Sequence, residues 1–93
     1  MPLSFEWHET KAKSNLAKHG VSFEEAATVF GDPLSVTIPD PAHSQAENRC
    51  VILGISHNQK LLVVVHTDRG DNIRIISARR ASRRERINYE EST

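Results

Sequence analysis

The sequence predicts an α+β fold: a mainly antiparallel sheet of four to five strands, with two N-terminal helices and one C-terminal helix. Three observations carry this. Residues 9–30 show helical spacing, interrupted at Gly20. From Leu34 to Ala78 the apolar residues alternate in four segments, joined by short turns or one ten-residue loop. Such links are too short for helical crossovers, so consecutive strands run antiparallel. Helical signals then return at Ser82. With 93 residues the chain is expected to form one domain, 1–93, around a single modest core.

The elements follow in order. Phe5–Trp7 reads as a short strand. From Glu9 to His19, Ala12 and Leu16 share one helical face, while Lys11, Asn15 and Lys18 fall on another. Gly20 suits the left-handed residue that closes a helix. Ser22 and Glu25 have capping-box spacing, so a second helix should run from about Phe23 to Phe30 and stop at Gly31-Asp32-Pro33. Leu34, Val36 and Ile38 alternate with Ser35 and Thr37, as in a half-buried strand. Pro39 to Asn48 is a polar, acidic loop. Arg49 to Ser56 is a strand with Val51, Leu53 and Ile55 on one face, followed by a turn at His57-Asn58-Gln59. Leu61 to Thr67 is apolar on both faces and should lie at the centre of the sheet. Asp68–Asp71 is a hairpin turn. In the strand Asn72–Ala78, strict alternation sets Ile73, Ile75 and Ser77 against Arg74, Ile76 and Ala78. A last helix starts at Ser82, with a capping box to Glu85, and reaches about Tyr89. The helices come from both ends of the chain and are expected to cover one face of the sheet, leaving the other partly open.

Composition narrows the function. The net charge is zero, yet its distribution is uneven. Val21–Asn48 holds five acids and no Lys or Arg, whereas Arg69–Arg86 holds seven arginines against Asp71 and Glu85. An arginine-rich block on a neutral chain suits phosphate or an acidic partner, because guanidinium pairs with phosphate oxygens through two parallel hydrogen bonds; a solvated helix face is the plainer reading. The longest apolar run, Leu61–Val65, is far short of a membrane span. The N-terminus lacks the pattern of a signal peptide, and the single cysteine, Cys50, allows no internal disulfide, so a cytoplasmic protein is expected. The five histidines have no metal-ligand spacing, and no glycine-rich phosphate loop or nucleophile elbow is present. Neither metal nor cofactor is expected.

What remains is Arg, Lys, His, Glu and Tyr on a small sheet, a set that fits metal-independent RNA cleavage. A base takes the 2′-hydroxyl proton, cations offset the added negative charge, and an acid protonates the leaving 5′-oxygen. His19 and Glu47 suit base or acid. Lys11, Arg49, Arg74 and Arg79 suit phosphate binding or transition-state stabilisation. Tyr89 suits base stacking or proton donation. Lys18, Arg83 and Arg86 are candidate RNA contacts. Structural readings stand beside these. His19 at a helix end can interact with the last carbonyls. Lys11 and Lys18 can be solvated, Glu47 and Arg49 can pair with each other, and Tyr89 can belong to the core.

Several segments together resemble one family: Phe5-x-Trp7, Lys11-x-x-x-Asn15, Lys18-His19-Gly20-Val21-x-Phe23-x-Glu25-Ala26, Val29-Phe30-x-Asp32-Pro33, Glu47-x-Arg49, Gly54, Arg74-Ile75-Ile76-Ser77-Ala78-Arg79 and Glu85-Arg86-x-x-Tyr89. They resemble the BrnT toxins of type II toxin–antitoxin systems, across nearly the whole chain. The resemblance implies a RelE-like fold, RNA cleavage that arrests growth, and neutralisation by a BrnA-like antitoxin carrying a ribbon-helix-helix DNA-binding part. The toxin itself is then expected to make no direct DNA contact. One departure is visible: the family usually has Asp after the tryptophan, where this chain has His8. That loses an acid able to cap the first helix. Two rival readings remain: a catalytically inactive toxin-like interaction module acting as antitoxin partner and co-repressor, or a plain RNA-binding protein.

Overall fold

A computed structural model describes residues 3–40 and 48–92. Its elements are β1 (Ser4–Glu6), α1 (Glu9–His19), α2 (Phe23–Thr28), β2 (Val36–Pro39), β3 (Arg49–Ile55), β4 (Leu61–Arg69), β5 (Asn72–Arg80) and α3 (Arg83–Glu91). The sheet order is β1-β5-β4-β3-β2. Three of the four strand pairings are antiparallel, and β1 runs parallel to β5. β4, apolar on both faces, is the central strand as its sequence requires.

Local signals explain the helix ends. Gly20 adopts a left-handed conformation (φ 70°) and its N–H donates to the Leu16 carbonyl, closing α1. The Ser22 hydroxyl accepts from the Glu25 N–H at 3.0 Å. The return half of that expected capping box is not made, because the Glu25 carboxylate turns inward to accept from the Ser56 hydroxyl at 2.7 Å. At α3 the box is complete: Ser82 and Glu85 satisfy each other's backbone N–H groups. The second helix is regular only to Thr28, and Val29–Gly31 tighten into a single 3-10 turn. This turn packs closely on β3: a Cβ at Gly54 would lie 3.2 Å from the Val29 carbonyl oxygen.

α1 and α2 bury one face of the sheet. Val21, Phe23, Ala26 and Val29 pack against Ile52, Leu62, Val64, Ile75 and Ala78, with Phe5, Trp7 and Phe30 at the margin. Two expectations change here. Leu16 is half exposed rather than core-facing, and the buried residue of α1 is Asn15. Strict alternation in β5 also fails. The register with β4 shifts between Val65 (opposite Ser77) and His66 (opposite Ile75), which leaves Ile76 as an extra residue. This bulge puts Ile75 and Ala78, three apart, on the same core face, and it turns Arg74, Ser77 and Arg79 together onto the other. The strand continues to Arg80, and β4 to Arg69, so the hairpin turn shortens to Gly70-Asp71.

The third helix does not join the first two. Val51, Val63, Val65, Ser77 and Arg79 alternate with the core residues and so occupy the opposite face, where α3 contributes Glu85 to the same hollow. α3 is nearly detached from the core, with Tyr89 its one buried residue. Two polar clasps hold it. The Arg79 guanidinium donates to both Glu85 carboxylate oxygens at 2.8 and 2.9 Å. The Tyr89 hydroxyl donates to Asp32 Oδ2 at 2.5 Å.

Candidate active site

β1 is only three residues long, so beyond Arg74 the outer edge of β5 has no strand neighbour on that side. α1 takes its place. Asn15 Nδ2 donates to the Ala78 carbonyl at 2.8 Å, and its Oδ1 accepts from the Ala78 N–H at 3.1 Å. The side-chain amide thereby substitutes for a strand. Asn15 Nδ2 also donates to the Val21 carbonyl at 2.9 Å, tying in the chain after α1. This anchoring sets α1 against the bulged part of β5, and two hollows open along the seam.

The first hollow, of about 90 Å³, is lined by His8, Lys11, Arg49, Arg74, Ile75 and Ile76. Four basic side chains thus converge from the start of α1, from β3 and from β5. No carboxylate is among the described lining residues. On the strand side Glu6 Oε2 lies 3.9 Å from Arg74 Nε, while its Oε1 accepts from Asn72 at 3.1 Å. Thr67, buried between Arg49 and Arg74 in the strand register, donates to the Asn48 carbonyl and fixes the start of β3. The second hollow, of about 210 Å³, shares Lys11 and Ile76 with the first and adds Ser14, Asn15, Lys18, His19 and Ser77. Together they form a cationic strip along α1, open to solvent because Lys11, Lys18 and His19 are all exposed.

A family model described as ribonuclease toxin, BrnT, of type II toxin–antitoxin systems matches residues 7–85. The chain belongs to the BrnT family. The 1.1 Å crystal structure of the Brucella abortus ribonuclease toxin BrnT is similar in fold, with a TM-score of 0.69 and 24% sequence identity over 88% of this chain and 100% of that one. No curated protein matches the chain.

Of the residues singled out in the BrnT sequence motifs, the fold gathers Lys11, Arg49 and Arg74 in the first hollow and Lys18 and His19 in the second. Arg79 lies on the same sheet face as Arg74 but in a different hollow, where Glu85 occupies its guanidinium. That pairing holds Glu85 down to about 2 and pushes Arg79 up. Tyr89 stands apart from both hollows of the strip. Burial and its hydrogen bond to Asp32 push the hydroxyl up to about 12, which suits a structural link better than proton donation. Burial pushes Asp32 up, but hydrogen bonds from Tyr89 and from the Ile55 and Leu34 N–H groups outweigh it and hold the carboxylate below its usual range. Arg83 and Arg86 are exposed on α3. Glu47 lies outside the described residues.

Sequence reasoning missed three contributors. In the sequence His8 reads only as a lost cap, and it is indeed an N-cap without a side-chain hydrogen bond. The residue instead lines the first hollow. Asn15 and the bulge at Ile76 build the site without touching its chemistry. The one available signal for the bulge was the five-residue spacing of Arg74 and Arg79, which a regular strand would send to opposite faces. Among the described residues, no group of three or more His, Cys, Asp or Glu is placed to hold a metal. No described helix is long and apolar enough to cross a membrane.

Proposed function

We propose that this chain is a toxin that cleaves RNA inside the cytoplasm without a metal, and that the His8–Lys11–Arg49–Arg74 hollow receives the scissile phosphate. The observation that carries this reading is the convergence of four basic residues from three elements on one hollow. Such a site favours a dianionic phosphorane over the monoanionic diester, which is what catalysis requires. The 2′-oxygen attacks phosphorus and the bond to the 5′-oxygen breaks, leaving a 2′,3′-cyclic phosphate and a 5′-hydroxyl. Arg74 and Arg49 offset the charge on the non-bridging oxygens, and Lys11 reaches the same group from α1. His8 in the hollow and His19 in the adjoining one supply imidazoles that can accept the 2′-hydroxyl proton and return one to the leaving oxygen. Lys18, with Arg83 and Arg86, contacts RNA beyond the cleaved bond.

Membership of a type II family supports a protein antitoxin. The partner proposed is BrnA-like, with a ribbon-helix-helix part that carries the DNA contacts of the complex. Incubating the purified chain with RNA in EDTA tests the enzymatic reading. Cutting that persists and leaves 2′,3′-cyclic phosphate ends supports it. RNA that stays intact but shifts in mobility would reduce the chain to a binding module.

A further inference from the structure

The sheet face that carries Arg49 and Arg74 does not end with them. Two residues further along β3 and β4, and beyond the bulge on β5, the next row across this face is Val51, Val65 and Ser77. Behind it stand Val63 and Arg79, and Ile38 closes the side from β2. These six residues, with Pro39 and Asp40 at the β2 rim and Glu85 from α3, line a hollow of about 330 Å³. Its floor is β-branched and apolar, with Val51 and Val65 half-buried and Ile38 56% exposed.

Three features bear on what fits there. The first is distance. A step of two residues along a strand covers about 6.6 Å, comparable to the reach from a phosphate to the base of the same nucleotide. The second is charge. The far wall is the Arg79–Glu85 pair, whose two hydrogen bonds occupy both terminal nitrogens of the guanidinium. That wall is neutral and offers no second phosphate clamp. The third is polarity. The valine floor rewards a flat, weakly hydrated π-face, while the other acid of the lining, Asp40, stands at the β2 rim and not on the floor. The Ser77 hydroxyl makes no hydrogen bond among the described residues, and the bulge turns it toward this hollow, where it can meet the edge of a base as donor or acceptor.

We infer that the Ile38–Val51–Val63–Val65–Ser77 hollow is a nucleobase subsite, holding the base of the nucleotide whose phosphate lies at Arg49 and Arg74. The inference rests on the phosphate assignment proposed above and extends it to sequence preference. Val51 and Val65 support the base, and Ser77 reads its edge. Substrate is therefore selected by a packed base next to the cut, not by backbone charge alone.

The test uses wild-type protein first. RNA oligonucleotides of one sequence, each with a single abasic nucleotide at a different position, are cleaved in parallel. The subsite predicts one position at which loss of the base lowers cleavage at least tenfold. Uniform cleavage at every abasic position would overturn it. Val65→Phe, which fills the hollow, should lower cleavage of intact RNA at least tenfold and add little further loss on the oligonucleotide lacking that base. Ser77→Ala should broaden the set of cut sequences; an unchanged rate in Val65→Phe together with an unchanged cut pattern in Ser77→Ala would also overturn it. Binding separates this idea from the enzymatic one. If wild type cuts no RNA at all, anisotropy with an uncleavable 2′-O-methyl oligonucleotide still decides. Weaker binding of the abasic form by wild type, lost in Val65→Phe, supports the subsite. Equal affinities reject it and leave the apolar floor to a protein partner.

Discussion

Asn15 on α1 and Ala78 on β5, 63 positions apart, exchange two hydrogen bonds through one side-chain amide, so a helix completes the edge of a sheet. Asn15 must be a donor toward the two carbonyls of Val21 and Ala78 and an acceptor toward the Ala78 N–H. Asp is nearly the same shape but only accepts when ionised. Asn15→Asp would therefore face two carbonyl oxygens with a buried negative charge. A loss of about 3 kcal/mol is expected, since each buried group left unpaired costs roughly 1–3 kcal/mol. Urea unfolding measures it; a midpoint within error of wild type would show that the amide does not bridge the two elements.

The fold was legible wherever local chemistry decides it. Gly20, the Ser82–Glu85 box and the apolar run of β4 each act within a few residues, and each is found where the sequence puts it. What escaped depends on partners distant in sequence. The Glu25 carboxylate abandons its own helix cap for Ser56, 31 positions on. Leu16 cedes the buried face of α1 to Asn15 because the open edge of β5 needs an amide more than the core needs a leucine. No local pattern reveals that β1 pairs in parallel with β5, because its partner is specified by the far end of the chain. The basic residues of the site were visible as residue types. Their grouping was not, because it depends on one extra residue, Ile76, that reverses the facing of everything before it in β5.

His66 provides a pH test. It is buried at 6% exposure, edge-on to Phe30, and neither ring nitrogen has a hydrogen-bond partner among the described residues. Burial lowers its pKa from 6.5, only partly opposed by Asp68. The unfolded chain then binds a proton at a pH where the folded chain does not, so stability falls as pH drops below about 6.5 and levels off only below the folded-state value. His66→Phe should flatten this limb. Denaturant unfolding between pH 5 and 8 reads it, and an equally steep limb in the variant would assign the loss to other groups.

Glu85 titrates lower. Its pKa, held at about 2 by Arg79 against an ordinary 4.5, gives a stabilisation that is complete above about 4.5 and disappears as pH falls toward 2. Both side chains are partly exposed, so solvent screening keeps the effect modest. Glu85→Gln should be less stable than wild type at pH 7 and nearly equal to it at pH 2, with the difference concentrated in α3. Amide exchange in 83–91 checks this; a difference that persists unchanged to pH 2 would rule out the ion pair as its source.

Tyr89→Phe separates clasp from catalyst. The substitution removes the hydroxyl that donates to Asp32 but keeps the buried ring, and Asp32 retains its bonds from the Leu34 and Ile55 N–H groups. A hydrogen bond to a charged acceptor contributes about 1.5–3 kcal/mol. Melting should shift accordingly, while RNA cleavage per folded molecule stays close to wild type. A large drop in cleavage without a change in melting would return Tyr89 to the chemistry.

Arg74 should behave in the opposite way. It lies on the bulged strand at the hollow where Lys11 and Arg49 also converge, and its one described ion pair, to Glu6, is long at 3.9 Å. Removing it leaves the core intact because Ile75 and Ala78 face away from it. Arg74→Gln should therefore melt within about 1 kcal/mol of wild type, as surface substitutions usually do, yet lose at least about tenfold in cleavage, equivalent to roughly 1.4 kcal/mol of transition-state stabilisation. Salt supplies the second readout. Each phosphate contact on a single strand contributes about 0.7 to the slope of log affinity against log salt, so the variant's slope should be shallower by about that amount. Arg84, exposed on α3 and outside all three hollows of the site, serves as control. Arg84→Gln removes the same formal charge and should change neither cleavage nor slope by a comparable amount. Equal losses from the two substitutions would mean that overall charge, and not the hollow, attracts the RNA.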